Sequence, residues 1–477
     1  MSSDTLEFLD DEQRRVIIAC AMYKNDPVLF VKECLKATPT EQQISVLQKI
    51  ALPNARISIR SGRGTGKTTL LSWIILWFLS FNDDTKIICT APNAGNLRTN
   101  LWGECRKWHE KMPDFFKNAI EINSAIIRIK DSKTRFAEAK TARKENPEAL
   151  LGSHASGGYM IIADESPGIA DTIFEYLEGS LTTGDCRVVM VGNPTKTHGF
   201  FYESHTKNKA FWNTFHFSCI DSPNVNIDFI NKARQQYGEE SNYFRVHILG
   251  EFPLMQKDAL IDFDAVQSAF DRDVKFIGLP FIAGVDVGDG GDPSAIVIRQ
   301  GKDIVHADQW NVKDLMKTVG KIQEYYIQYK LEKIFIDVIG VGAGVHSRLV
   351  ELNLPMYPVN VNEMASSKAR FKILRNELWW RVREFFEAKD CHINPELPYK
   401  DELVGELSMM TYEADEASGT IQVISKKKLR SAGKKSPNLA DALMHTMADG
   451  YILPSTKGII ENNVQIGSSS SGWSSFV

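Results

Sequence analysis

The chain has 477 residues, 43% apolar and 24% charged, with a formal net charge of −4. That length accommodates two or three domains with full cores, and the composition is that of an ordinary globular protein. The near-neutral balance excludes a globally basic nucleic-acid coat, so any surface for a polyanion must be a local patch.

Seven cysteines stand far apart with no C-x-x-C pair, which predicts neither disulfides nor structural zinc and fits a reducing compartment. The longest apolar run, Leu70 to Leu79, is about half a bilayer span. The start, Met1-Ser2-Ser3-Asp4, lacks the basic-then-apolar pattern of a secretory signal. A cytoplasmic chain with no membrane partner is expected.

Residues 10–37 read as helical, with Val16, Ile17, Cys20, Phe30, Val31 and Leu35 available for an inward face. Pro39 breaks that helix, and Thr40 caps another running to Ile50. Gln42 and Gln43 lie in its first turn, where an amide either reads an adenine edge or completes a polar cap. Next comes Ser61-Gly62-Arg63-Gly64-Thr65-Gly66-Lys67-Thr68-Thr69, between an apolar strand and an apolar helix. Successive N–H groups in such a loop cradle phosphates, the helix presents its positive dipole end, Lys67 reaches the outer phosphates and Thr68 holds Mg²⁺. The match to G-x-x-x-x-G-K-[ST] is imperfect, because Ser61 stands at the first glycine position.

Lys86 to Pro92 reads as a buried strand and Asn93 opens a helix carrying Leu97, Leu101 and Trp108. Ile120 to Ile129 and Thr134 to Ala142 read as a hairpin around residues 130–133. Tyr159 to Ala163 is an apolar strand ending in Asp164-Glu165, a Walker B pattern: Asp164 for the Mg²⁺ shell, Glu165 to polarise water. A strand over Arg187 to Val191 ends in Gly192-Asn193-Pro194, where Asn193 senses the γ-phosphate or simply forms a turn. A helical region over Ile227 to Leu249 closes at Pro253, where a domain boundary is expected. Alternating strands and helices predict a parallel-rich α/β sheet.

Beyond it the pattern restarts. Strands over Phe281 to Val287, Ser294 to Arg299 and Ile304 to Trp310 form a meander, a helix spans Val312 to Lys330, and a strand carries Lys333 to Val338. Asp286 and Asp337 end two of these strands, and Asp441 lies in the first turn of a helix beginning near Ser436. Lone acids on apolar elements are costly if buried unpaired, so a shared divalent cation is their natural partner. The arrangement resembles the RNase H-like nuclease fold, with Asp289 and Asp292 as alternative ligands. The basic stretch Lys426 to Lys435 suits backbone phosphates. The helix over Phe371 to Phe386 carries Arg370, Arg375, Arg381 and Arg383 beside Trp379 and Trp380, which read as core.

With both halves in view, residues 38–452 resemble the large terminase subunit of tailed bacteriophages. The motifs run in the family's order: Gln42 or Gln43, Arg63 to Thr68, Asp164-Glu165, Gly192-Asn193-Pro194, then Asp286, Asp337 and Asp441. The resemblance implies an ATPase motor over 1–253, an RNase H-like nuclease over 254–454 and a flexible polar tail over 455–477. It implies that Arg63 assists hydrolysis, that ATP with Mg²⁺ occupies the motor, and that Mg²⁺ or Mn²⁺ occupies a two-metal nuclease site. Implied partners are double-stranded DNA, a small terminase subunit, the procapsid's portal and further copies in a ring. The competing expectations are a helicase-like DNA-repair ATPase and a non-catalytic, nucleotide-switched portal-docking scaffold.

Overall fold

The structure, a computed structural model, describes residues 11–141, 157–179, 181, 184–254, 258–272, 274, 276, 278–415 and 419–450. The tail from Ser455, Ala142 and the Val16 side chain lie outside that set. Two compact units emerge: one runs to Ala233 and includes Phe244–Pro253, and the other combines Arg234–Tyr243 with the chain from Leu254.

The first unit holds an eight-stranded sheet built from β1 (Arg56–Ser61), β2 (Lys86–Thr90), β3 (Ile120–Ile122), β4 (Ile126–Ile129), β5 (Phe136–Ala139), β6 (Tyr159–Ala163), β7 (Cys186–Gly192) and β8 (Asn213–Phe217). Its order is β3-β4-β5-β2-β6-β7-β1-β8. The strands from β5 to β8 pair in parallel, and β3 and β4 add an antiparallel edge. β6 and β7 are buried along their whole length, as strands covered on both faces must be. The helix Lys67–Phe81 packs into the core with Leu70 to Leu79 all buried. Its apolar residues run all round rather than along one stripe, the signature of a helix enclosed by its neighbours. Burying each large side chain contributes about 1.5–3 kcal/mol, so packing rather than amphipathicity fixes this helix. This is the P-loop NTPase arrangement, with β1 and β6 separated by β7.

Three expectations change here. The helix predicted over 10–37 breaks after Asp11–Asn25, because Pro27 cannot continue it and Asp26 Oδ1 caps a new start, accepting from Val28 N at 2.9 Å and Leu29 N at 3.0 Å. The run Ile120 to Ile129 is itself a hairpin, β3 against β4. Its tight turn forms because Asn123 Oδ1 accepts from Ala125 N and Ile126 N. The helical stretch over 227–249 is interrupted at Gly238, whose φ is +80°.

The second unit centres on a six-stranded sheet: β9 (Phe281–Asp286), β10 (Ser294–Gln300), β11 (Asp303–Trp310), β12 (Lys333–Asp337), β13 (Met356–Val359) and β14 (His392–Ile393), ordered β13-β12-β9-β10-β11-β14. β9, β10 and β11 form the antiparallel meander, while β12 joins β9 in parallel. That topology is RNase H-like. A hairpin of β15 (Tyr412–Ala414) and β16 (Ile421–Val423) follows, then the basic helix Lys426–Ser431 and the helix Asn438–Thr446.

Candidate active sites

In the first unit β1 runs into the glycine loop, and Gly66 takes φ +88° to turn the chain into the helix Lys67–Phe81. That conformation favours glycine, and Gln43 Nε2 stands only 2.7 Å from where a Cβ would be. The loop is pinned from below. Gly62 N donates to Phe217 O and Arg63 N to His247 O, each at 2.8 Å, while Cys219 Sγ donates to Arg63 O at 3.1 Å. Ser61 Oγ and Thr65 Oγ1 lie 2.6 Å apart, so the hydroxyl at the first glycine position braces the loop. Lys67 Nζ folds onto Gly62 O at 2.8 Å.

The surrounding motifs converge on this loop. Asn193 Nδ2 donates to Ser61 O at 2.7 Å, tying the end of β7 to the end of β1. Asp164 directly follows β6, and Glu165 comes next, exposed, with φ +51°. A non-glycine residue there stores strain of the kind found where function demands a fixed direction. Burial, then the Glu165 charge, pushes the Asp164 carboxyl up to about 6 against the pull of Lys67. Burial likewise pushes the Lys67 ammonium down to about 8, opposed by Asp164. Thr68 is half-buried at the helix's second position.

Other candidates point elsewhere. Gln43 is fully committed: its Oε1 accepts from Thr40 N at 2.9 Å and its Nε2 donates to Gly66 O at 3.1 Å. Of the two glutamines, Gln42 keeps a buried amide oxygen with no hydrogen-bond partner among the described residues. Thr69 Oγ1 donates to Glu104 at 2.8 Å. Sequence reasoning missed Cys219, His247 and Asn224, whose Nδ2 lies 3.2 Å from a Cβ built on Gly66. They belong to no local motif, and only the folding of the segment after β8 back to the loop brings them there.

In the second unit, the pairing of Val285 with Ile336 sets Asp286 and Asp337 side by side at the ends of parallel strands. The helix Asn438–Thr446 crosses β9 at Gly284, so closely that a Cβ there would lie 1.9 Å from Ala442 O. His445 Nδ1 lies 2.9 Å from Val285 O and fastens the crossing. Asp441 and Asp286 are thereby buried, at 1% and 7% exposure. Between them sits Lys426, its Nζ 3.0 Å from Asp286 Oδ2 and 2.9 Å from Asp441 Oδ2. Trp379 Nε1 donates to Asp441 Oδ1 at 3.2 Å. Asp337 Oδ1 accepts from Ile339 N at 3.0 Å.

The electrostatics follow from one ammonium serving two buried carboxylates. Burial raises both, and Lys426, then Arg375, overcomes it at Asp441, which is held below the usual carboxylate range. Asp286 stays raised by burial and by the Asp441 charge. Nearby, Glu406 is buried and pushed well above its ordinary value. Its Oε2 accepts from Ala440 N at 2.9 Å. It thus caps the helix bearing Asp441, whose own start offers no side-chain cap.

The three acids do not form a ready cage: among the described residues no group of three or more His, Cys, Asp and Glu is disposed to hold a metal. Asp286 and Asp441 instead share Lys426, Asp292 pairs with Arg430, and Asp289 accepts from Gly291 N in its own turn at 3.0 Å. The residues nonetheless suit a divalent cation. Hard carboxylate oxygens already hold a cation between them, and Asp441 Oδ2 meets it by charge without hydrogen-bond alignment. The basic stretch is also less free than expected, because Lys426, Lys428 and Arg430 pair with acids. Trp379 is core, as expected, yet touches the site.

The chain is 26% identical over 388 residues to the "Probable terminase, large subunit" of Enterobacteria phage P7, covering 76% of this chain and 78% of that protein. By sequence it resembles a large terminase subunit. The resemblance spans both units, not one motif. A family model for the helicase domain of RNA cytidine acetyltransferase NAT10/TcmA matches residues 58–205, within the first unit. Among solved structures, the large terminase of a thermophilic bacteriophage is 13% identical, with a TM-score of 0.41, covering 86% of this chain and 99% of its own. The nuclease domain of the large terminase subunit of bacterial virus Sf6 is 18% identical, with a TM-score of 0.35, covering 40% and 98%. Superpositions this loose carry no chemistry across. No helix among the described residues is long and apolar enough to cross a membrane.

Proposed function

We propose that this chain is an ATP-driven motor that packages double-stranded viral DNA into a procapsid and cuts concatemeric DNA with a metal-dependent endonuclease. One observation carries the reading: a phosphate-loop site and a cluster of buried acids occupy separate units of a chain similar along most of its length to a large terminase subunit.

In the motor over 1–253, Gly62 to Lys67 receive the nucleotide phosphates, Thr68 and Asp164 hold Mg²⁺, Gln42 meets the base, Glu165 orients the attacking water and Arg63 stabilises the developing charge. Asn193, hydrogen-bonded to Ser61, relays loss of the γ-phosphate to β7. In the nuclease over 254–454, Asp286, Asp337 and Asp441 hold Mg²⁺ or Mn²⁺, which when bound supplies charge neutralisation and an acidified water. Lys426 neutralises Asp286 and Asp441 and would yield its place between them to a metal. In this role the chain works as a ring of copies on the portal, with DNA delivered by a small subunit.

The test is plasmid cleavage with Mg²⁺ or Mn²⁺ alongside ATP hydrolysis. Asp286→Asn is expected to lose cutting and keep ATPase activity, and Lys67→Ala the reverse. Asp286→Asn cutting at the wild-type rate would overturn the nuclease assignment. The match to a helicase domain over residues 58–205 favours a second reading, a helicase-like ATPase, and unwinding of a forked duplex would move it ahead.

A further inference from the structure

Arg375 is a second cation beside the nuclease acids. It lies in the first turn of the helix Leu374–Glu387. Four residues on, along the same helical face, Trp379 donates to Asp441. The guanidinium is anchored at one prong only: Nη1 donates to Val423 O at 3.3 Å, at the end of β16 and three residues before Lys426.

The other prong, Nη2, is buried and has no hydrogen-bond partner among the described residues. Holding a charged N–H₂ group out of water without an acceptor is unfavourable, and such a group in a native site calls for an explanation. The site's own acids do not supply one. Asp441 is engaged by Trp379 at Oδ1 and Lys426 at Oδ2, and Asp286 by Lys426. What remains is an acceptor arriving from outside. A planar guanidinium with one fixed and one unpartnered prong is suited to a phosphate oxygen, and Arg holds its charge when buried where Lys would not.

We propose that Arg375 is a substrate-binding residue of the nuclease, donating from Nη2 to a non-bridging oxygen of the DNA phosphodiester brought to Asp286, Asp337 and Asp441. This rests on the nuclease reading of the second unit. Arg375 in this role grips the phosphate without entering the metal shell, so its loss weakens DNA binding even with no metal present.

The experiment uses the full chain and a fluorescently labelled duplex of about one helical turn in EDTA, with affinity followed against salt concentration, and then Mn²⁺-dependent cutting. Arg375→Gln is expected to lower the slope of log affinity against log salt by about 1. It is also expected to lower kcat/KM for cutting by about 10²-fold, with the Mn²⁺ concentration for half-maximal cutting and the ATPase rate unchanged. Arg375→Lys keeps a charge and carries the test if the glutamine variant fails to fold. It should retain the salt slope but cut at least about tenfold more slowly. Wild-type slope and cutting in Arg375→Gln, or wild-type cutting in Arg375→Lys, would overturn the proposal. A half-maximal Mn²⁺ concentration that rises with the loss of cutting would overturn it too, since the arginine would then act through Lys426 and the acids. A wild-type protein that neither binds nor cuts DNA would instead sink the nuclease reading.

Discussion

His205 shows how a residue outside every motif supports one. Its Nε2 lies 2.9 Å from the Oγ of Ser58, a fully buried residue of β1, and Ser58 Oγ lies 2.7 Å from Ser204 Oγ. This cluster locks the helix Phe200–His205 to the strand that feeds the phosphate loop. Burial first, then Arg60, His216 and Lys209, pushes the imidazole from its ordinary 6.5 down to about 3. The unfolded chain therefore takes up this proton near pH 6.5 and the folded chain only near pH 3. Stability from the neutral ring is complete above pH 6.5 and drains as pH falls toward 3, by about 1.4 kcal/mol per pH unit. Urea unfolding at pH 7 and pH 5 should show wild type losing about 2 kcal/mol more than His205→Gln. Equal losses would mean that the ring is not held neutral. Nothing in the sequence marks His205, because its environment comes from elements far away along the chain. The motif residues Lys67, Asp164, Asp286 and Asp441 stood out in the sequence, since the chemistry proposed for them demands a residue type at a strand end or helix start. Lys426 was legible only as a charge, because the acids that claim it lie 140 and 15 residues away.

At the scale of elements, the proposed nuclease site depends on one close crossing. The helix carrying Asp441 lies against β9 because Gly284 has no side chain; Glu406 fastens its start to the helix Lys400–Ser408 and His445 fastens its end to β9. A Cβ at Gly284 would stand 1.9 Å from Ala442 O and 2.9 Å from Thr446 Cγ2, and backbone on that side cannot yield as a flexible side chain does. Gly284→Ala should therefore displace the helix, lose cutting by at least about tenfold for a displacement near 1 Å, and leave ATP hydrolysis intact. Parallel assays of cutting and ATPase activity check this, and undiminished cutting would show that the crossing tolerates a methyl group. Sequence patterning caught β9 and β12 because their apolar runs are continuous. It passed over β8, whose residues are mostly half-exposed, and β14, which has only two residues. The hairpin within Ile120 to Ile129 was missed because both arms are apolar and only Asn123 marks the turn.

For the molecule as a whole, a net charge of −4 leaves DNA binding to a few unneutralised cations. The order of motifs along the chain was enough to separate a phosphate-loop half from an acidic half, but it gave no measure of how many basic groups stay available. Of the stretch from Lys426 to Lys435, Lys426 serves Asp286 and Asp441, Lys428 pairs with Glu413 and Arg430 pairs with Asp292. Lys427, Lys434 and Lys435 remain to meet backbone phosphates. Each phosphate neutralised contributes about 0.9 to the slope of log affinity against log salt. Replacing all three by alanine should lower that slope by about 3 and weaken binding evenly across DNA sequences. Their exposure is at least partial, so folding should be unaffected, within about 0.5 kcal/mol per substitution. The three ion-paired cations should contribute little to the slope, because binding a phosphate there would first strip an acid of its partner. An unchanged slope in the triple variant would place the grip on DNA elsewhere on the chain. A fall of about 3 would mean that the stretch divides its labour, half of it paired with acids of the chain itself and half holding the DNA.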